Sequence, residues 1–284
     1  MSDPNFGTAI VTAAGRGIGR GIALALADAG ANLVVNSYTD ETTAATAQAA
    51  RERGAKVLAL PGDITDAAVI NACVEAAVME FGSVDILVNN VGAGPKEYPA
   101  AQTGPLGPVA MIWDALYDQN LRAAVLMTEA VKPLMVDAKH GKIINISSIA
   151  GRSSLSDKML EMFTHPSYGA MKAALVSYTQ TMAEMLGPYN INVNAVCPGI
   201  IYTDAWASNA KKAVRGIDEF KGQDPRKWFE GIARGDYPHI FDRTPLRREQ
   251  TVEDIGNAVV FLASANSLNI TGQCLMVDGG MVKL

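Results

Sequence analysis

Residues 8–12 form a short apolar run, 13–19 read Ala-Ala-Gly-Arg-Gly-Ile-Gly, and an Ala/Leu-rich stretch continues to about residue 29. That order, strand then glycine loop then helix, constrains the fold more than any other feature. Glycines allow a tight turn and let backbone N–H groups approach a pyrophosphate at a helix N-terminus, where the dipole favours negative charge. A glycine-rich helix start with no ligand is the alternative. The position directly after the first strand argues for nucleotide binding.

The alternation continues along the chain. Strands are predicted over 32–36, 56–60, 84–89, 142–147, 191–196 and 272–277, and helices over 40–53, 66–81, 113–136, 166–186 and 251–264. This spacing indicates an α/β fold, a doubly wound parallel sheet of about seven strands with helices on both faces. With no repeat, linker or low-complexity tract, residues 1–284 read as one Rossmann-like domain. Ligands of such sheets bind beyond the carboxyl ends of the strands, where Gly15, Asp63 and residues 89–92 fall. Residues 93–112, with four prolines, are expected to be a loop, and 152–165 an irregular stretch with one amphipathic patch at Met159, Leu160, Met162 and Phe163. Residues 200–250 form an extended lid segment. It carries Tyr202, Trp206, Phe220, Trp228, Phe229, Tyr237 and Phe241. These aromatics either pack a surface excursion onto the core or give the segment an apolar face over a ligand.

The net charge of −5 argues against a broad nucleic-acid surface. Cys73, Cys197 and Cys274 are odd in number and far apart in sequence, which suggests reduced thiols in a cytoplasmic protein. Asp3 and Pro4 precede the first apolar run, so no signal peptide is evident, and no 18-residue apolar run exists to span a membrane. His140, His165 and His239 are isolated, as surface or capping histidines would be, and no metal site is expected.

Tyr168 and Lys172 lie four apart in the 166–186 helix and so share a face. An ammonium beside a phenol favours the phenolate and lowers its pKa, giving a group able to exchange a proton with a carbonyl or alcohol oxygen. Chance alone supplies such a pair in about one chain in three. The surrounding motifs decide the matter.

Along essentially its whole length the chain resembles the short-chain dehydrogenase/reductase family. The family's glycine motif starts Thr-Gly and ends Gly-Ile-Gly; here it runs Thr12-Ala13-Ala14-Gly15-Arg16-Gly17-Ile18-Gly19, with Ala13 replacing the first glycine. Asn89-Asn90-Val91-Gly92 resembles its Asn-Asn-Ala-Gly motif, and Val277-Asp278-Gly279-Gly280 its C-terminal signature. The resemblance implies a catalytic set of Asn120, Ser148, Tyr168 and Lys172. Tyr168 would be the acid-base, Ser148 would hold the reacting oxygen, Lys172 would lower the phenol pKa and bind the ribose, and Asn120 would support a proton-relaying water. It further implies cofactor contacts at Gly15, Arg16, Gly17, Ile18, Gly19, Asn36, Asp63, Ile64, Asn90, Gly92, Tyr168, Lys172, Pro198, Gly199, Ile201 and Thr203. Homotetramers are common among members, with homodimers the alternative. Ser148 and Tyr168 are 20 apart where the family usually has 13, so about seven residues are inserted before the tyrosine.

The implied reaction is hydride transfer between a nicotinamide cofactor and a small-molecule carbonyl or secondary alcohol. The aromatic lid suggests an apolar or aromatic substrate; a 3-oxoacyl carrier-protein thioester is the alternative, and a non-catalytic nucleotide sensor an alternative of another class. Residues 36–39 offer no carboxylate for a ribose 2′-hydroxyl, whereas Arg16 could meet a 2′-phosphate. NADP(H) is therefore favoured over NAD(H).

Overall fold

A computed structural model describes residues 6–92, 107–154, 164–239 and 245–283. Short apolar runs become seven strands: β1 (Thr8–Val11), β2 (Asn32–Ser37), β3 (Val57–Pro61), β4 (Ile86–Asn89), β5 (Gly141–Ile146), β6 (Ile191–Pro198) and β7 (Cys274–Val277). All pair in parallel, in the order β3-β2-β1-β4-β5-β6-β7. The order reverses between β1 and β4, which opens a crevice at their carboxyl ends.

Helices cover both faces because successive strand residues point to opposite sides. Val11, Leu33, Val35, Val88 and Val196 pack under α1 (Gly17–Asp28), α2 (Asp40–Arg51) and α9 (Val252–Ala263). Ile10, Val34, Leu87, Ile143 and Val193 pack under α3 (Ala67–Phe81), α5 (Ala123–Ala138) and α6 (Pro166–Leu186). Local chemistry fixes the helix starts. Thr39 caps α2, Asp66 caps α3, and Thr251 with Asp254 forms a capping box on α9. His165 caps α6, accepting from the Ser167 N–H through Nδ1.

Three expectations need correction. Helix α4 (Gly107–Tyr117) begins inside the stretch expected to be a loop, of which 93–106 lies outside the described residues. The expected single helix over 113–136 is two helices, because a π turn at Asp118–Arg122 separates α4 from α5. Of the 152–165 insert, residues 155–163 lie outside the described residues, and the patch from Met159 to Phe163 with them.

The third correction concerns the lid, which is helical: α7 (Asp204–Gly216), a short turn at Asp218–Phe220, and α8 (Pro225–Arg234). Its aromatics face one another. Phe220, Trp228 and Phe229 are buried with Ala210, Ala213, Val214 and Ile232 in a core separate from those of the sheet. The Tyr202 and Trp206 rings meet Phe229 at 4.9 and 5.8 Å between centroids, and Tyr237 meets Phe220 at 5.2 Å. Arg226 ties α8 down. It donates to both Glu249 oxygens, at 2.9 and 2.6 Å, and lies 4.3 Å from the Tyr202 ring centre. The aromatics therefore pack against one another and not onto the sheet core as one expectation had it, while Phe241 lies outside the described residues.

Candidate active site

The glycine loop crosses the carboxyl ends of β1 and β4. Asn90 holds it from below, donating to the Thr12 and Ala13 carbonyls at 3.1 and 3.2 Å, and Thr12 Oγ1 accepts from the Asn90 N–H. A side chain at Gly19 would collide with the Ala13 carbonyl and the Asn90 carboxamide; one at Gly15 would strike Ser37 and Thr42. At Gly17 the backbone has φ +52° and meets nothing nearer than Thr203, at 3.4 Å. The loop is thus closely packed beneath and open above Gly17, as a cradle for a pyrophosphate requires. Ala13 holds φ +51°. This is the position at which the family motif has glycine, and an L-residue there is strained by roughly 1–2 kcal/mol. Glycine also loosens the unfolded chain, by about 0.4–1 kcal/mol. Ala13→Gly is therefore expected to stabilise the protein by about 0.5–1 kcal/mol, measured by reversible denaturant unfolding.

Asn36 departs from its expected role. Its carboxamide is buried and donates to the Leu60 and Gly62 carbonyls at 2.9 and 3.2 Å, so it ties β2 to β3 rather than facing a ribose. Ile64 is likewise a core side chain. Asp63 is exposed just beyond β3 and accepts from Thr65 N–H and Oγ1 at 2.9 and 2.8 Å. Arg16 is exposed and faces Asp204 at 3.7 Å, a surface pair of little worth. Thr203 starts α7 against Gly17, Pro198 ends β6, and Ile201 bridges to Gln250. A side chain at Gly199 would meet Gln250 and the Asp278 backbone. Ile18 is half-buried in the loop's first helical turn.

Two of the four implied catalytic residues, Lys172 and Asn120, meet beside Gly92, and Tyr168 lies next to Lys172. Lys172 is buried, donates from Nζ to the Ile146 carbonyl at 2.9 Å, and lies 5.9 Å from the Tyr168 ring centre. Asn120 is buried within the π turn and donates to the Leu116 carbonyl at 3.1 Å. A side chain at Gly92 would come within 2.7 Å of Lys172 Nζ and 2.8 Å of Asn120 Oδ1, so only glycine lets both reach this point. Ser148 Oγ accepts from the Ala150 N–H at 3.2 Å, which fixes this serine at the start of its turn. Ser147 turns the other way, donating to the Lys172 carbonyl at 2.9 Å and fixing α6 to the sheet.

The electrostatics differ from expectation. Burial pushes the Tyr168 phenol above its ordinary value, with Ser148 opposing in part. Burial also lowers Lys172, to about 8. Desolvation therefore sets the phenol's direction in this arrangement, and not the expected lowering by Lys172. The phenol is held as an acid at neutral pH.

A buried polar chain beneath this group went unread in the sequence. Asn89 and Asn145 are paired in register on β4 and β5. Asn89 donates to Asn145 Oδ1 at 2.9 Å and to Thr128 Oγ1 at 3.2 Å, and Asn145 donates to Thr179 Oγ1 at 2.9 Å. It bolts α5 and α6, which flank Asn120 and carry Tyr168 and Lys172, to the sheet centre. An asparagine at the end of apolar β4 and another one residue before the end of β5 was the available signal. Among the described residues no cluster of His, Cys, Asp and Glu could hold a metal ion, and no helix is long and apolar enough to cross a membrane.

A sequence profile described as short chain dehydrogenase matches residues 7–213. The chain belongs to the short-chain dehydrogenase/reductase family. A profile described as Enoyl-(Acyl carrier protein) reductase matches residues 229–282. The chain is 36% identical to galactitol 2-dehydrogenase of Agrobacterium fabrum, over 96% of each chain. It is 34% identical to a 3-oxoacyl-[acyl-carrier-protein] reductase of Synechocystis sp., again over 96% of each. Its fold is similar to that of L-sorbose reductase from Gluconobacter frateurii complexed with NADPH and L-sorbose, with a TM-score of 0.83, 29% identity and full coverage of both chains. As a short-chain dehydrogenase/reductase the protein is an NAD(P)-dependent oxidoreductase of alcohol and carbonyl groups.

Proposed function

We propose that the protein reduces a small-molecule ketone with NADP(H), and oxidises the corresponding secondary alcohol in reverse. The Tyr168 ring centre 5.9 Å from Nζ of buried Lys172, which meets Asn120 at Gly92, carries this reading. Bound in the crevice, the nicotinamide would supply or accept the hydride. Ser148 orients the substrate oxygen and Tyr168 donates a proton to it. Lys172 and Asn120, brought together at Gly92, connect the phenol to a source of protons. Gly15, Gly17 and Gly19 cradle the pyrophosphate, and Asp63 stands where an adenine would end. Asn90 acts by holding the loop, and Pro198, Gly199, Ile201 and Thr203 frame the nicotinamide side.

The phosphate preference is supported by the absence of a carboxylate at residues 36–39 and by the exposure of Arg16. A solved neighbour, L-sorbose reductase, is described as complexed with NADPH. Arg16→Ala is expected to raise KM for NADP(H) by about 10–100-fold, since a hydrogen bond to a charged group contributes about 1.5–3 kcal/mol, while KM for NAD(H) stays within a few-fold. Equal losses with both cofactors would reject the role.

The lid aromatics are occupied in their own core, so they no longer argue for an aromatic substrate. A 3-oxoacyl thioester is the second reading, favoured by the Synechocystis relative. Nicotinamide absorbance, followed with both cofactors over ketones, polyols, ketoses and 3-oxoacyl thioesters, distinguishes these substrates; no turnover on any would reject the reductase reading. The proposal includes a cytoplasmic homotetramer with no nucleic-acid or membrane partner. Exposed Met79, Met185 and Phe261 offer apolar surface for subunit contacts, and a monomeric mass by light scattering would refute it.

A further inference from the structure

The lid leaves the loop after β6 at Asp204, and the chain returns to that loop at Glu249 and Gln250. Gln250 lies against both ends of the loop. Its backbone bridges to Ile201, and a Cβ at Gly199 would lie 2.6 and 2.7 Å from its Oε1 and Nε2. Nε2 also donates to Met281 Sδ at 3.7 Å, in the turn after β7. Oε1 is buried and accepts from no donor among the described residues, so shape fixes this carboxamide more than hydrogen bonding does. Glu249 reaches the other way. Its carboxylate takes the fork of Arg226 on α8, at 2.9 and 2.6 Å, and that guanidinium lies 4.3 Å from the ring centre of Tyr202, a residue of the same loop. Tyr202 in turn meets Phe229 of the lid core at 4.9 Å. A bidentate fork stacked on a ring fixes direction as well as distance, which a lysine ammonium does not.

We propose that Gln250 and Glu249 are positioning residues that join the nicotinamide seat to the lid. Gln250 sets the loop from Gly199 to Ile201, and Glu249, through Arg226, carries the placement of α8 to it. This rests on the nicotinamide side of the site proposed above. Neither residue has to touch the cofactor. The lid begins where the seat loop ends, and Arg226 and Phe229 both hold Tyr202 within that loop, so α8 and the seat shift together. Sites joined in this way are coupled in both directions. A nicotinamide settled on the seat favours one placement of the lid, and a substrate held under the lid tightens the nicotinamide. The pyrophosphate cradle stands apart, because Gly15 and Gly19 rest on Ser37, Thr42 and Asn90. Loosening the joint should therefore weaken the grip on the nicotinamide and spare the adenosine half of the cofactor.

The test is calorimetric titration of the full chain with NADPH and with 2′-phospho-ADP-ribose, the same cofactor without its nicotinamide; NADH and ADP-ribose are run alongside. Glu249→Gln and Arg226→Lys are expected to weaken NADPH by at least about 5-fold, the low end for coupled sites, and to leave 2′-phospho-ADP-ribose unchanged. Gln250→Ala should do the same, while Gln250→Met, close in shape, should restore NADPH binding. In the unliganded protein, hydrogen exchange at residues 199–203 should quicken together with that of α8 in Arg226→Lys. Equal weakening of both ligands would mark these residues as general stabilisers and overturn the joint. Seat exchange that stays slow while α8 loosens overturns it as well. A Gln250→Met variant as weak as Gln250→Ala overturns the role of shape at Gly199. A wild type that binds neither NADPH nor NADH refutes the cofactor reading of the site, and the exchange of the unliganded protein then decides the joint on its own.

Discussion

Tyr168→Phe is expected to lower kcat by about 10²–10⁴-fold, the range a positioned general acid supplies. The substitution removes one hydroxyl and leaves the ring, so α6 and the Lys172 contact with Ile146 are retained. Cofactor binding should survive, because the glycine loop and Asn90 are untouched. The loss should fall on kcat and kcat/KM alike, as for an interaction made in the transition state. The raised phenol adds a pH signature. The wild type keeps its acid form through neutral pH, so reduction should hold up there and decline only as the solution becomes strongly alkaline. The phenylalanine variant has no such proton, and its residual rate should lack that decline. Steady-state kinetics over pH, with cofactor affinity from fluorescence titration, reads both. Near-normal turnover in the variant would remove Tyr168 from the mechanism.

Trp228→Ala should produce the largest change in stability. The side chain is wholly buried between α7 and α8, and emptying such a site costs about 3–5 kcal/mol. The location of that loss is the informative part. The lid core is distinct from the two cores on the sheet faces, so the penalty is expected to act on residues 204–234 and leave the sheet folded. Hydrogen exchange should show α7 and α8 losing protection while β1, β4 and β5 keep theirs. KM for the carbonyl substrate should rise more than kcat falls, since the lid borders the site without carrying the proton. Loss of protection spread evenly over the chain would show instead that lid and sheet fold as one unit.

The parallel sheet and the ends of its strands were legible because they follow from local signals in sequence: apolar runs, glycine loops and helix caps. The strand order came only from the pairing of strands distant in sequence. Tyr168, Lys172, Ser148 and Asn120 were found by motif, and the structure brings Lys172 and Asn120 together at Gly92 with Tyr168 beside Lys172. What escaped depended on contacts distant in sequence. Asn36 was taken as a cofactor contact from the family resemblance, yet its carboxamide is drawn inward by Leu60 on β3 and Gly62 just beyond it. The lid aromatics were ambiguous because burial depends on which helix lies opposite. The spacing of Trp228, Phe229 and Ile232, one face of a helix, already leaned towards a core. The phenol's direction could not be read from its spacing to Lys172, since it follows from burial, which the spacing does not reveal.

The wide turn at Asp118–Arg122 has a consequence for how this stretch can vary. Each residue of a regular helix advances the side-chain direction by about 100°. A π turn admits one surplus residue, so α4 and α5 keep separate phases: α5 presents Met127, Val131 and Met135 to the core, while Asn120 stays turned towards Gly92. Removing a single residue there would leave a smoother helix and every side-chain type in place, yet would swing either the amide or the core stripe by more than a quarter-turn. Residue count in this stretch is thus as much a part of the catalytic inheritance as residue identity.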